Sequence, residues 1–244
     1  MNRIPAWQYD ECRHVGVDYA DPQVAEEYDA RHQRFRGDLA AEADRLLDAL
    51  GVRAGHSLLD VGCGSGNLAI QAARRGVIAY GVDVSPAMLA VARRKADAAG
   101  VTGATFRQGG FLTYTHDGPP ADVLVSMAAL RHLPDFWKLV GLRRLAGMLR
   151  DDGLCYLMDT VYSFPPPDYA RFMAETVARF ARNAGEEFGQ EVATAFREEF
   201  STCDWIMEGV LTRAGFVIER AEYPDGMLAR YWCRKARPAQ GGSA

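Results

Sequence analysis

Apolar residues along the chain recur at two spacings that take turns. Leu39, Ala43, Leu46, Leu47 and Leu50 repeat at helical spacing up to Gly51, which predicts an amphipathic helix with one buried stripe. The run SLLDVG from Ser57 then reads as a short buried strand, and NLAIQAARRG returns to helical spacing, closed by Gly76. VIAYGVDV is the next strand. SPAMLAVARRKADAAG is the next helix, with Ser85 at its N-cap and Pro86 at its first position. Strands ATFRQG and ADVLVSMAAL, the helix FWKLVGLRRLAGML and the strand LCYLMDTVYSF continue the series. Strands alternating with helices of these lengths predict βαβ units and a mostly parallel sheet, the α/β class.

Three stretches depart from the alternation. Pro165, Pro166 and Pro167 break it, and two helical stretches follow between Asp168 and Phe200. The first carries Tyr169, Phe172, Met173, Thr176, Val177 and Phe180 along one face, too periodic for a loop and too long for a simple connection. Beyond the helix CDWIMEGVLTRAG, capped by Ser201 or Thr202, FVIERAEY and MLARYWCRK flank the turn PDG and predict a closing antiparallel hairpin. Residues 1–36 are rich in Tyr, Asp, Arg and His, with helical promise only around Pro22 to Arg34. The expected organisation is an N-terminal cap segment at 1–36, one α/β domain over 37–234 with a helical lid insertion at 163–200, and a disordered tail at 235–244.

Composition adds exclusions. A net charge of −4 provides no basic field to recruit nucleic acid. Arg93, Arg94, Lys95 and Arg143, Arg144 lie on helices, where a solvated face is the ordinary reading. Cys12, Cys63, Cys155, Cys203 and Cys233 are scattered without metal-ligand spacing, and the five histidines form no cluster, so no metal is expected. Unpaired thiols, an N-terminus without the apolar core of a signal peptide, and no apolar run near ~20 residues predict a cytoplasmic protein with no membrane partner.

The sharpest chemical signal is LLDVGCGSGNLA. Gly62, Gly64 and Gly66 follow a buried strand and open a helix, the position of a nucleotide loop in a doubly wound sheet. The spacing is GxGxG rather than GxGxxG, with Asn67 where a third dinucleotide glycine would stand. Asp60 precedes the loop. An acid there suits a cationic ligand better than a pyrophosphate, and S-adenosylmethionine carries a sulfonium and an ammonium; Asp60 would bind its amino group directly or through water. Asp83 closes the second strand 21 residues after Gly62, near the ~20-residue offset of an acid that binds a ribose hydroxyl. Its competing reading is a helix-leading Asp beside Ser85.

LLDVGCGSGNLA, YGVDVSPAMLAVARRKA and ADVLVSMAALRHLPDFWKLVGLRRLAGMLRDDG, followed by a hairpin after LTRAGF, together resemble the class I S-adenosylmethionine-dependent methyltransferase family, especially its UbiE-like small-molecule branch. The resemblance implies a Rossmann-like three-layer sandwich with a seven-stranded, mostly parallel sheet of order 3-2-1-4-5-7-6, strand 7 antiparallel, under a helical cap. It implies S-adenosylmethionine as cofactor, with S-adenosylhomocysteine (SAH) as product. The implied binding set is Tyr28, Asp60, Gly62, Cys63, Gly64, Gly66, Asp83, Val84, Met88, Gly110, Phe111, Met127 and Ala128. Relatives carry an acid after the third strand against the adenine amino group. Here Gly109 and Gly110 stand in its place, so the backbone of Gly110 and Phe111 is left to approach the adenine edge and the Phe111 ring to cover it.

Methyl transfer to a positioned nucleophile draws mostly on proximity, and a base is required only where the acceptor must lose a proton. His132, after the fourth strand, is the candidate base, with loop ordering as its alternative role; Asp159, near the end of the fifth, is a second candidate that could instead bind substrate. Trp7, Tyr9, Tyr162, Phe164, Tyr169 and Phe172 argue for a partly apolar capped pocket and a small acceptor methylated at O, N, S or C. Non-methylating carboxymethyl or lyase chemistry, an RNA or protein methyltransferase, a binding module without catalysis and a nicotinamide dehydrogenase are the competing readings. A monomer or homodimer is expected.

Overall fold

The computed structural model describes residues 5–237, and the first four and last seven residues lie outside them. Strands β1 (Ser57–Val61), β2 (Ile78–Asp83), β3 (Ala104–Gln108), β4 (Ala121–Met127) and β5 (Leu149–Tyr162) alternate with helices α3 (Asn67–Arg74), α4 (Pro86–Ala98) and α5 (Asp135–Met148). Helices α1 (Pro22–Arg36) and α2 (Leu39–Ala49) precede them. The insertion supplies α6 (Tyr169–Ala184) and α7 (Glu186–Glu198), and the chain closes through β6 (Thr202–Cys203), α8 (Asp204–Ala214), β7 (Phe216–Glu222) and β8 (Leu228–Lys235). The expected α/β fold is present, with two changes at strand ends. β5 starts at Leu149, five residues before the expected Leu154, and Lys235, last residue of the expected strand and first of the expected tail, ends β8. Lys235 belongs to the sheet because its Nζ donates to the Leu149 carbonyl at 2.6 Å.

The sheet has eight strands, not seven, in the order β3-β2-β1-β4-β5-β8-β7, with β6 paired to β5 off this path. The additional strand is the two-residue β6, which pairs in parallel with Val161 and Tyr162 where the insertion returns to the sheet. Numbering it shifts the last two strands up by one. β8 runs antiparallel to both its neighbours, as the hairpin signal required.

Two apolar clusters hold the layers. Leu47, Leu58, Leu68, Leu89, Val125 and Tyr156 pack α2, α3 and α4 on one face; Leu124, Leu142, Leu145, Leu157, Leu211 and Tyr231 pack α5 and α8 on the other. Strands covered on both faces read as continuous apolar runs, which is why β1 and β4 were visible in the sequence. Asp21, Asp38 and Ser85 cap α1, α2 and α4 through side-chain oxygens. The expected cap of α8 is absent: Cys203 occupies the N-cap position, and Thr202 Oγ1 instead donates to Asp135 at 3.1 Å.

Candidate active site

Parallel pairing brings the chemically loaded strand ends to one edge. Asp60 is in register with Gly81 and Val125, Asp83 with Gln108, and Met127 with Met158. Gly62, Gly64 and Gly66 leave β1 with φ of 78°, 53° and 76°, a region that L side chains rarely adopt. Room is as short as conformation, since a Cβ on Gly62 would stand 2.2 Å from that of Ala129. The amides of Gly62 and Cys63 donate to the Val82 carbonyl at 2.8 and 3.0 Å, binding the loop to β2.

Both oxygens of Asp83 meet backbone: Oδ2 accepts the Gly64 amide at 2.8 Å and Oδ1 the Ser85 amide at 2.9 Å. Burial raises its pKa, against those two bonds and the Val84 amide. Asp60 is different. It is 2% exposed, lines a cavity of about 400 Å³ with Tyr28, Gly62, Cys63 and Met127, and has no ion pair among the described residues. Burial, helped by Asp83, pushes its carboxyl up to about 7. A carboxyl so buried is stabilised as the anion only beside a cation or donors. The residues therefore fit a ligand bearing an ammonium beside the glycine loop.

The N-terminal segment is fastened over this loop by polar contacts that sequence reasoning missed. Asp29 of α1 accepts from Ser65 Oγ at 2.6 Å and Asn67 Nδ2 at 3.0 Å, and it pairs with Lys95 of α4. Asn67, read only as a missing glycine, is thus part of the joint. Arg94 pairs with Glu26 at 2.6 Å, so the basic cluster of α4 grips the cap instead of facing solvent alone. Tyr28 lies 3.9 Å from where a Gly64 Cβ would stand, and its ring stacks on His32 with centroids 3.9 Å apart. Met88 is buried with Ala25 and Val91 against Tyr19 and Tyr28, in the small apolar cluster joining α4 to α1.

At the ends of β4 and β5 the site is built from charge. Ala128 holds φ 55°, a strained conformation for a residue with a Cβ. Its carbonyl accepts from Arg131, whose guanidinium also pairs with Glu199 and lies 3.6 Å from Asp159. Burial opposes the charge of Arg131, but the carboxylates of Glu199 and Asp159 outweigh it and raise its pKa. Burial likewise works against Glu199, and Arg131 and His132 overcome it to hold its pKa at about 2. His132 Nδ1 lies 3.0 Å from the Ala129 carbonyl, so Nδ1 carries the proton. Its Nε2 is buried, 3.5 Å from Glu199 Oε1, without a closer hydrogen-bond partner among the described residues. Arg131 carried a signal, as the neighbour of His132; Glu199, 68 residues beyond Arg131, carried none.

Three expectations are corrected. Asp159 is 1% exposed, and its oxygens accept the amides of Arg131 at 3.1 Å and Thr160 at 2.8 Å. It holds the β4 loop rather than facing an acceptor. Phe111 is turned into the core against Gly141 of α5, which leaves room for it, and does not stand over the crevice. Trp7 and Tyr169 are 76% and 61% exposed, so they line no pocket, whereas Phe164 stacks on Phe172 with centroids 4.0 Å apart.

Residues 58–153 match the family model of a methyltransferase domain, the span from β1 to the start of β5 that carries the glycine loop, Asp60, Asp83 and His132. The chain is an S-adenosylmethionine-dependent methyltransferase. S-adenosylmethionine is its cofactor and SAH the product. Over 214 residues the methyltransferase is 28% identical to an uncharacterized methyltransferase of Geobacillus thermodenitrificans, covering 85% of this chain and 93% of the relative. It is 28% identical over 200 residues to the 27-O-demethylrifamycin SV methyltransferase of Amycolatopsis mediterranei, covering 81% and 67%. Its fold is shared with the magnesium protoporphyrin IX methyltransferase of Synechocystis PCC 6803 with bound SAH, at TM-score 0.65 and 17% identity over 90% of this chain and 97% of that one. No helix among the described residues is long and apolar enough to cross a membrane.

Proposed function

We propose that this methyltransferase acts on a small-molecule acceptor held beneath the cap formed by the N-terminal segment and the insertion at 163–200, as in the UbiE-like branch, and that it works in the cytoplasm. The observation that carries the reading is the joint between cap and loop. Asp29, Ser65, Asn67 and Lys95 close α1 over the glycine loop, and Arg31 pairs with Glu191 of α7, leaving little room for a folded RNA or protein to reach the strand ends.

In this reading Asp60 takes the cofactor's ammonium and Asp83 a ribose hydroxyl. Gly62, Cys63, Gly64 and Gly66 give backbone room, and Tyr28, Val84, Met127 and Ala128 border the ligand. When bound, S-adenosylmethionine supplies an electrophilic methyl group with a neutral leaving group. The chain's own part is to orient the acceptor, exclude water and, for an acceptor that must lose a proton, receive it at His132 Nε2, where Glu199 offsets the imidazolium charge.

Incubation with methyl-labelled cofactor and fractionated cell extract, followed by mass identification of the labelled product, tests the substrate class. A labelled small molecule is expected, and label only in RNA or protein sinks the reading. His132→Gln should lower kcat by roughly 10²–10⁴-fold at unchanged cofactor affinity if the acceptor is deprotonated there. Equal kcat in the variant removes His132 from proton transfer.

A further inference from the structure

Glu11 is a carboxylate in an unexpected place. It lies in the N-terminal segment before α1, is 7% exposed, and reaches the loop just past β3. The Leu112 amide donates to its two oxygens at 3.1 and 3.0 Å, and Thr113 Oγ1 donates to Oε1 at 2.6 Å. Oε1 therefore carries the Thr113 hydroxyl, Oε2 shares the Leu112 amide, and the Thr113 amide also acts on the carboxylate. No ion pair compensates Glu11 among the described residues. Burial raises its pKa, with the Thr113 and Leu112 bonds opposing.

Gly110 explains where Oε2 points. A Cβ on Gly110 would stand 2.5 Å from Glu11 Oε2 and 2.9 Å from Val84 Cγ1. Among the glycines of positive φ Gly110 does not appear, so its backbone places no demand for glycine. What the position requires is room, and the carboxylate of Glu11, from the far N-terminal segment, fills it. Val84 directly follows Asp83 at the end of β2, and Gly110 lies just past the end of β3, so this carboxylate lies between those two strand ends. A desolvated carboxylate oxygen between two strand ends selects a neighbour that donates N–H and rejects one that presents a carbonyl.

We propose that Glu11 reads the exocyclic amino group of the cofactor's adenine, so that the N-terminal segment supplies a specificity-determining residue of the cofactor site. The inference rests on the reading that Asp83 binds the ribose, which places the base next to Val84.

Calorimetry with SAH and with its deaminated analogue S-inosylhomocysteine, which carries a carbonyl in place of the amino group, tests it. The wild-type protein should prefer SAH by at least about tenfold, the lower end for a hydrogen bond to a charged group. Glu11→Ala should bring the ratio close to one. Adding Gly110→Asp to that variant should restore it, because the deleted carboxylate vacates the volume the new side chain needs. Should Glu11→Ala fail to fold, Glu11→Gln keeps the volume and one acceptor oxygen, and a reduced ratio is expected there too. An unchanged ratio, with both ligands weakened equally, makes Glu11 a clasp on the Leu112 loop and overturns the proposal alone. A wild-type protein that binds neither ligand overturns the adenosyl reading and this proposal together.

Discussion

At the ends of β1 and β2 the crevice is bordered mainly by backbone, and its two acids lie within one β-α-β unit. At the ends of β4 and β5 stand Arg131, His132, Asp159 and Glu199, drawn together from positions 28 and 68 residues apart. The first side is a local object: a strand, three glycines and a helix can form it wherever the strand is buried. The second exists only after the insertion has folded and returned Glu199 to the β4 loop, where the Phe200 amide donates to the Arg131 carbonyl at 2.9 Å. The glycine-loop side is thus built from one stretch of chain, and the charged side is conditional on the insertion.

That contrast can be broken most forcefully at Arg131. Arg131→Ala leaves the Glu199 and Asp159 carboxylates buried without their cation and should destabilise the protein by roughly 3–5 kcal/mol in urea unfolding. Acid should act in the same direction. Because folding depresses the Glu199 pKa from 4.5 to about 2, its contribution is complete above about 4.5 and is lost as pH falls toward 2. A loss below 1 kcal/mol in the variant would mean that the charges at β4 and β5 are individually dispensable.

Asp60 gives the opposite sign. Its pKa is raised in the folded state to about 7 from 3.8, so the folded protein holds that proton more tightly than the unfolded chain. Stability of the ligand-free protein should decline from this source as pH rises between those values, and Asp60→Asn should remove the decline. Cofactor affinity should rise over the approach to pH 7 as the carboxylate forms. The variant should lose about 1.5–3 kcal/mol of SAH binding while gaining stability at pH 8. Unchanged SAH affinity would strike Asp60 from the ammonium site.

The smallest effect should come from Ser85, which caps α4 by accepting the Met88 amide at 3.1 Å and donates to the Tyr19 carbonyl at 2.6 Å. Ser85→Ala should cost about 1 kcal/mol. Hydrogen exchange distinguishes its two roles: faster exchange in residues 5–36 than in 57–66 is expected if Ser85 ties the cap down. Equal change in both segments would make it a helix cap alone.

The alternation of apolar periods was sufficient for β1 to β4, for their helices and for the closing hairpin, because strands covered on both faces and helices covered on one leave separate signatures in one dimension. The glycine loop was legible for a similar reason: three left-handed residues at alternate positions restrict those positions to glycine, and Asp60 and Asp83 are tied to it by strand length. Asp159 and Phe111 were located correctly in the chain but assigned wrongly. Their roles depend on which way a side chain turns at a strand end, and that is set by Arg131 and by the space at Gly141, both remote in sequence. Glu11, Asp29 and Glu199 had no mark at all. Each is an ordinary acid on a polar stretch until folding desolvates it, and desolvation is a property of what packs around a residue, which only the tertiary structure decides.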